Sequence, residues 1–113
     1  PERVAVECSP FAVRFDFDDA SIREDAATTL RGAAPCLRGV PVVTLTGHAD
    51  ERGTSEYNYA LGYLRATNAA GYLAALGVDS SHLRIGSRGE DEPAVVGRDE
   101  AAWAVNRRVE VRP

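Results

Sequence analysis

The sequence predicts an α+β fold, a two-layer sandwich with helices on one face of a mixed four-stranded sheet. The prediction rests on alternating apolar residues near the N terminus, a β-branched run at 42–46 and a long amphipathic helix. The elements follow in the order β-α-β-α-β-α-β, which is typical of two packed layers. The 113 residues fit a single domain, with a core from about 11 to 111.

The first strand and the first helix are predicted from alternation and capping. The strand carries apolar side chains at every second position, namely Phe11, Val13, Phe15 and Phe17. Ser21 and Glu24 have the spacing of a capping box, so we expect a helix from about Ile22. Pro35 lacks an amide hydrogen, and it therefore predicts a kink or a fresh turn near the helix end.

The remaining elements follow from the same patterns. Residues 41–46 predict a second strand, and 47–54 a polar loop. A long helix capped by Thr54 or Ser55 follows and ends at Gly77. Its apolar stripe consists of Ala66, Ala69, Ala70, Leu73 and Leu76. The last predicted elements are a strand over 83–87, a helix over 99–105 and a strand from about 106.

Composition narrows the classes of function. The formal net charge is −4, and the 13 basic residues are scattered arginines, so no nucleic-acid-binding surface is predicted. Apolar runs fall well short of the roughly 20 residues that span a bilayer. The sequence has no nucleophile motif and no set of residues at metal-ligand spacing, so we expect neither an enzyme nor a cofactor.

The two cysteines leave two alternatives open. Cys8 and Cys36 match neither a CxxC motif nor a zinc set. Cys8 precedes the first strand and Cys36 ends the first helix, and in a strand–helix unit these ends can return to the same place. A disulfide in an oxidising compartment and two free thiols are both consistent with the sequence.

The candidate binding residues lie in the 47–54 loop and on the helix after it. Asn58, Leu61 and Arg65 share one stripe of that helix, and Asp50 lies in the loop. A carboxylate and a guanidinium across a cleft suit a zwitterion, because one binds an ammonium and the other a carboxylate. The alternative is that Asp50 and Arg65 form a structural ion pair with each other.

Arg107 also admits two interpretations. It shares the parity of Val109 and Val111, so we expect it to point inward from the last strand. The residues of opposite parity should point away, and these are Arg108, Glu110 and Arg112. An inward arginine contacts a ligand or pairs with a carboxylate such as Asp16.

His48 is expected to be structural. Paired with Asp50 it supplies too few ligands for a metal-dependent hydrolase, so a histidine bonded to the backbone is the favoured interpretation. The sequence does not indicate whether Trp103 and the tyrosines belong to the core, to a helix face or to a surface that binds a partner.

Several short segments form a distinctive set, and the most specific of them is Gly-His-Ala-Asp-Glu-Arg-Gly-Thr at residues 47–54. The others lie at residues 15–18, 56–58, 61, 65–66, 89–94, 97–102 and 106–108. Together these segments resemble the OmpA C-terminal domain family, and within it the sequence is similar to the peptidoglycan-associated lipoproteins.

The resemblance implies non-covalent binding of peptidoglycan through the meso-diaminopimelate of its stem peptide. By this resemblance Asp50 binds the ammonium of the diaminopimelate and Arg65 binds its carboxylate. The other positions that match the family's pocket or its surroundings are Asn58, Leu61, Arg107, Phe17, Asp18, Arg52 and Thr54.

The resemblance also implies a setting and a partner. It places the domain in the Gram-negative periplasm, where it tethers an outer-membrane component to the wall through an upstream anchor. Such domains also engage a TolB-like propeller protein, which provides a second candidate function.

Overall fold

The structure, a computed structural model, describes residues 8–113. Its strands are β1 (Phe11–Arg14), β2 (Val43–His48), β3 (Leu83–Gly89) and β4 (Arg108–Arg112). Its helices are α1 (Glu24–Leu37), α2 (Ser55–Ala75) and α3 (Glu100–Asn106), and a 3-10 turn, Ser80–His82, precedes β3. The predicted α+β class and element order are confirmed. Within 8–113, every helix is too short or too polar to cross a membrane.

The sheet brings the ends of two strands to one edge. Its order is β1-β4-β2-β3, and β4 is antiparallel to both β1 and β2. Strands β1 and β2 therefore run in the same direction, although β4 lies between them. The segments that follow them, 16–19 and 49–53, emerge at the same edge of the sheet. Helix α2 begins at this edge as well, which makes it the place where separate parts of the chain meet.

Helix α2 packs on the sheet through an unusually close contact of two glycines. A Cβ atom built on Gly47 would lie 1.6 Å from the carbonyl oxygen of Gly62, so only glycine permits this approach. The predicted stripe of α2 is confirmed: Ala66, Ala69, Ala70 and Leu73 are buried, and Leu76 is partly buried against the core. The glycine contact holds the first turns of α2 over the edge where β2 ends.

The start of α1 differs from the prediction. The N-cap is Arg23, and its side chain makes no capping hydrogen bond, so the capping box is wrong. The amide of Ser21 instead donates to the carboxylate of Asp19 at 2.7 Å. The proline expectation is wrong in part, since α1 continues two residues beyond Pro35 without starting a fresh turn.

Of the two alternatives for the cysteines, the structure contains the disulfide. The Cα atoms of Cys8 and Cys36 are 6.0 Å apart, and the bridge closes a sequence separation of 28 residues. The bridge joins the segment before β1 to the last turn of α1, at the opposite end of β1 from residues 16–19.

Replacing both cysteines with serine is expected to lower the free energy of unfolding by about 3–4 kcal/mol, because the unfolded chain regains the loop entropy that the bridge removes. Urea unfolding of the oxidised wild type and of the Cys8→Ser/Cys36→Ser variant measures this difference. Dithiothreitol should weaken the wild type and leave the double variant unchanged. A difference below about 1 kcal/mol would contradict the estimate.

Candidate functional site

A cavity of about 160 Å³ opens at the edge where β1 and β2 end and α2 begins. The predicted site residues that line it are Phe17, Asp18, Asp50, Arg52, Asn58, Leu61 and Arg65. Ala49, Gly53 and Tyr57 complete the lining. The structure therefore brings together residues from the β1–α1 connection, the β2–α2 loop and helix α2. Arg107 and Thr54, the other two predicted residues, lie outside the lining.

Asp50 is a buried carboxylate held by two arginines. Its Oδ1 accepts from the backbone amide and Nε of Arg52, both at 3.1 Å. Its Oδ2 accepts from Nη2 of Arg52 at 2.9 Å and from Nη1 of Arg107 at 3.4 Å. Burial acts to raise the pKa of Asp50, but the bonds from Arg52 and Arg107 outweigh it and lower that pKa. The group is therefore ionised at neutral pH.

Arg65 is fully buried, with 0% of its surface exposed, and its guanidinium bonds to three backbone carbonyls from two segments of the chain. Nε donates to the carbonyl of Asp19 at 2.9 Å, Nη1 to that of His48 at 2.8 Å, and Nη2 to that of Asp16 at 3.0 Å. The guanidinium carries two further N–H groups, one on each terminal nitrogen. Burial and the nearby charge of Arg107 lower the pKa of Arg65 to about 10, so it stays cationic.

The alternative of a structural Asp50–Arg65 ion pair is wrong. The ion-pair partners of Asp50 are Arg52 and Arg107, at 2.9 and 3.4 Å. Asp50 and Arg65 nonetheless line the same cavity. The cavity therefore presents a carboxylate and a guanidinium that do not pair with each other.

Arg107 points inward as predicted, but its partners differ from the expected ones. It is the C-cap of α3, one residue before β4, and it donates to the carbonyl of Phe15 at 2.9 Å. Its ion-pair partners are Asp50 and Glu100, whereas Asp16 pairs with Arg23. Arg107 thus lies behind the cavity and supports Asp50.

Arg108 points away from the face that carries Val109 and Val111, as predicted, yet it is not exposed to solvent. Arg108 is buried, because its guanidinium donates to the carbonyl of Glu92 at 3.0 Å and pairs with Glu110 at 2.7 Å. The 90–98 segment therefore covers this end of the helix-free face of the sheet. Parity alone predicted the face correctly and could not predict the loop that covers it.

The side chain of Arg52 lies between two aromatic rings. Its guanidinium carbon is 3.9 Å from the ring centre of Phe17 and 4.0 Å from that of Trp103. The indole of Trp103 donates to Glu51 at 3.0 Å. Sequence reasoning left Trp103 unplaced, since no spacing signal links α3 to the β2–α2 loop.

The remaining polar residues hold the loop in place. Thr54 caps α2 by accepting from the amide of Tyr57 at 3.2 Å. Asn58 donates to the carbonyl of Arg52 at 3.0 Å and to Glu90 at 2.8 Å. The hydroxyl of Tyr57 donates to the carboxylate of Asp18. The backbone of Asp18 has a positive φ of 53°. Tyr57 is a lining residue that sequence reasoning did not single out.

His48 is buried, and neither ring nitrogen has a hydrogen-bond partner among residues 8–113, so the predicted backbone bond is wrong. Its Nε2 lies 4.0 Å from Glu110 on the helix-free face of the sheet. The described part of the chain contains no group of three or more His, Cys, Asp or Glu side chains placed to hold a metal ion. Burial, and then the charge of Arg108, lower the pKa of His48 to about 4, although Glu110 opposes this shift.

The stability of the fold is expected to fall between pH 6.5 and pH 4 because of His48. In that window the unfolded chain takes up a proton that the folded chain excludes. The free energy of unfolding therefore falls by about 3 kcal/mol, and below pH 4 it changes no further because of His48. The stability difference between wild type and His48→Gln should change by this amount between pH 7.5 and pH 4. A constant difference for His48→Gln would contradict the shift.

Comparison with known proteins gives a consistent set of relatives. The sequence matches the OmpA family over residues 14–107. It is 47% identical over 98 residues to the peptidoglycan-associated lipoprotein of Haemophilus influenzae, covering 85% of this chain and 64% of that protein. The corresponding protein of Agrobacterium fabrum is 46% identical over 96 residues, covering 83% of this chain and 54% of that protein. The chain thus spans about half to two-thirds of the length of these curated relatives.

Solved structures agree with this result. The crystal structure of the peptidoglycan-associated lipoprotein from Burkholderia pseudomallei has a TM-score of 0.84 and 40% identity, covering 88% of this chain and 86% of that one. The cell wall anchor of the T6SS from Pseudomonas aeruginosa has a TM-score of 0.77 and 31% identity, covering 90% and 78%. By its sequence match and by its fold, the chain belongs to the OmpA family.

Proposed function

We propose that the domain binds peptidoglycan non-covalently through the meso-diaminopimelate of the stem peptide, and so anchors an outer-membrane component to the cell wall in the periplasm. One observation carries the proposal: the buried residues Asp50 and Arg65 line one small cavity, and the ion-pair partners of Asp50 are other arginines. The similarity to the peptidoglycan-associated lipoproteins of Haemophilus influenzae, Agrobacterium fabrum and Burkholderia pseudomallei supports it.

The chemistry of the cavity fits the end of an amino acid that carries both charges. Asp50 attracts the ammonium, and the two remaining N–H groups of Arg65 receive the carboxylate. A volume of about 160 Å³ admits the end of a side chain and not a disaccharide, so the glycan lies outside the cavity. Binding requires positioning and charge, and no step of it calls for a nucleophile or a metal.

Calorimetric titration with two muropeptides tests the proposal. One carries meso-diaminopimelate, and the other carries lysine, which keeps the ammonium and lacks the second carboxylate. We expect the first to bind at least about tenfold more tightly, because only it occupies the donors of Arg65. Equal affinities would remove the carboxylate-binding role of Arg65. The absence of binding to both would contradict the wall-anchor function.

A protein partner is a second candidate function, favoured by exposed aromatic residues near the cavity. Phe17 and Tyr57 line the cavity, and both side chains are exposed. Exposed aromatic clusters are typical of protein interfaces. A TolB-like propeller protein that binds this surface should be released by free muropeptide. Retention of the propeller in saturating muropeptide would place its interface elsewhere.

A further inference from the structure

We infer that the side chain of Arg52 occupies the cation site of Asp50 in the unliganded domain, and that an incoming ammonium must displace it. For the ligand's identity this inference rests on the proposed function. The occupation of Asp50 itself follows from the contacts of the described residues and is tested below without a muropeptide.

The carboxylate of Asp50 already has its acceptor positions filled. A carboxylate accepts about four hydrogen bonds, two at each oxygen. Oδ1 receives the backbone amide and Nε of Arg52, and Oδ2 receives Nη2 of Arg52 and Nη1 of Arg107. An ammonium therefore binds Asp50 only if one of these donors leaves.

The side chain of Arg52 is the donor that leaves most readily. Arg107 is 5% exposed and is also held by the carbonyl of Phe15 and by Glu100. Arg52 is 33% exposed, and within residues 8–113 its side-chain hydrogen bonds go to Asp50 alone. Its other contacts are the faces of Phe17 and Trp103, which hold a guanidinium without directional bonds.

Displacement of the Arg52 side chain makes both oxygens of Asp50 available to a ligand. The side chain uses one position on each oxygen, so its departure frees one acceptor on Oδ1 and one on Oδ2. The backbone amide of Arg52 and the side chain of Arg107 remain, and they keep the carboxylate in place and ionised. Asp50 then presents two adjacent acceptors to the cavity.

This arrangement makes Arg52 a specificity-determining residue. A simple amine must compete with a bidentate guanidinium for Asp50, and it gains nothing at Arg65. A ligand that carries both an ammonium and a carboxylate offsets the loss of the Arg52–Asp50 pair by bonding to Arg65. Arg52 therefore selects zwitterionic ligands over monovalent cations.

Titration with n-butylammonium chloride tests the inference, with the carboxyl carbon resonance of Asp50 as the readout. The proteins are the wild type, Arg52→Gln and Arg112→Gln, which makes the same change of net charge at an exposed arginine outside the cavity. We expect Arg52→Gln to bind n-butylammonium about tenfold more tightly than the wild type, the order of magnitude of one such pair. Arg112→Gln should bind it as the wild type does.

Each other outcome overturns the inference. Equal gains in both variants would show that net charge alone matters, and no gain in Arg52→Gln would show that Arg52 does not block Asp50. The proposed function is judged separately. Failure of the diaminopimelate muropeptide to bind the wild type contradicts that function, whatever n-butylammonium does.

Discussion

Replacing Arg65 with alanine is expected to lower the free energy of unfolding by about 3–5 kcal/mol, as well as to abolish ligand binding. The guanidinium is fully buried and donates to the carbonyls of Asp16, Asp19 and His48. Alanine removes the donor of these three hydrogen bonds and opens a cavity beneath α2. Arg65 therefore holds the site together as well as lining it.

Urea unfolding measures the effect, and Arg38→Ala provides a matched control. Arg38 also donates to a backbone carbonyl, that of Leu76, but from an exposed position. Its removal should cost less than about 1 kcal/mol. If Arg65→Ala unfolds at the same urea concentration as Arg38→Ala, the buried carbonyl contacts do not stabilise the fold. Arg65→Lys keeps the charge and separates the two roles, since it should fold better than alanine and still lose affinity for a carboxylate.

Replacing Asp50 with asparagine is expected to weaken binding of the diaminopimelate muropeptide by about 100-fold or more. The amide keeps the shape of the side chain but removes the charge that attracts the ammonium, and it leaves Arg52 and Arg107 without the carboxylate that they share. A loss of this size corresponds to about 2.7 kcal/mol. Calorimetric titration of the wild type and the variant measures it.

Asp91→Asn is the control for the loss of one negative charge, because Asp91 is exposed and lies outside the cavity lining. It should bind as the wild type does. Retention of wild-type affinity by Asp50→Asn would remove Asp50 from the ammonium site. An equal loss in both variants would indicate long-range attraction rather than a contact.

The elements and the location of the site were predictable, whereas the partners of the charged residues were not. The stripe of Asn58, Leu61 and Arg65 follows from helical spacing, and the structure places all three on the cavity. The carbonyls that Arg65 contacts belong to residues 16, 19 and 48, which no periodicity connects to α2. Such contacts depend on how the two strand ends meet, a tertiary property.

At Arg107 and at the start of α1, contacts between residues close in the chain were also not predictable from the sequence. Parity predicted that Arg107 points inward, but Glu100, one of its partners, lies on α3, whose last turn reaches Arg107. At α1 the capping pattern of Ser21 and Glu24 competes with an Asp19 turn, and the turn prevails. Local patterns therefore identified the elements, whereas competing contacts near the ends of the elements decided where each begins and which partners its terminal residues take.

The disulfide has a consequence for how the domain bears tension. Strand β1 leads from Cys8 toward Phe17 and Asp18 of the cavity, and α1 returns to Cys36. A pull applied at Cys8 while a ligand is bound in the cavity would otherwise act on β1. This strand of four residues is the outermost strand of the sheet, and among the described strands it pairs with β4 alone. The bridge passes part of that force to the end of α1, where Leu37 is packed in the core. Under load, this outermost strand is thus reinforced by a helix.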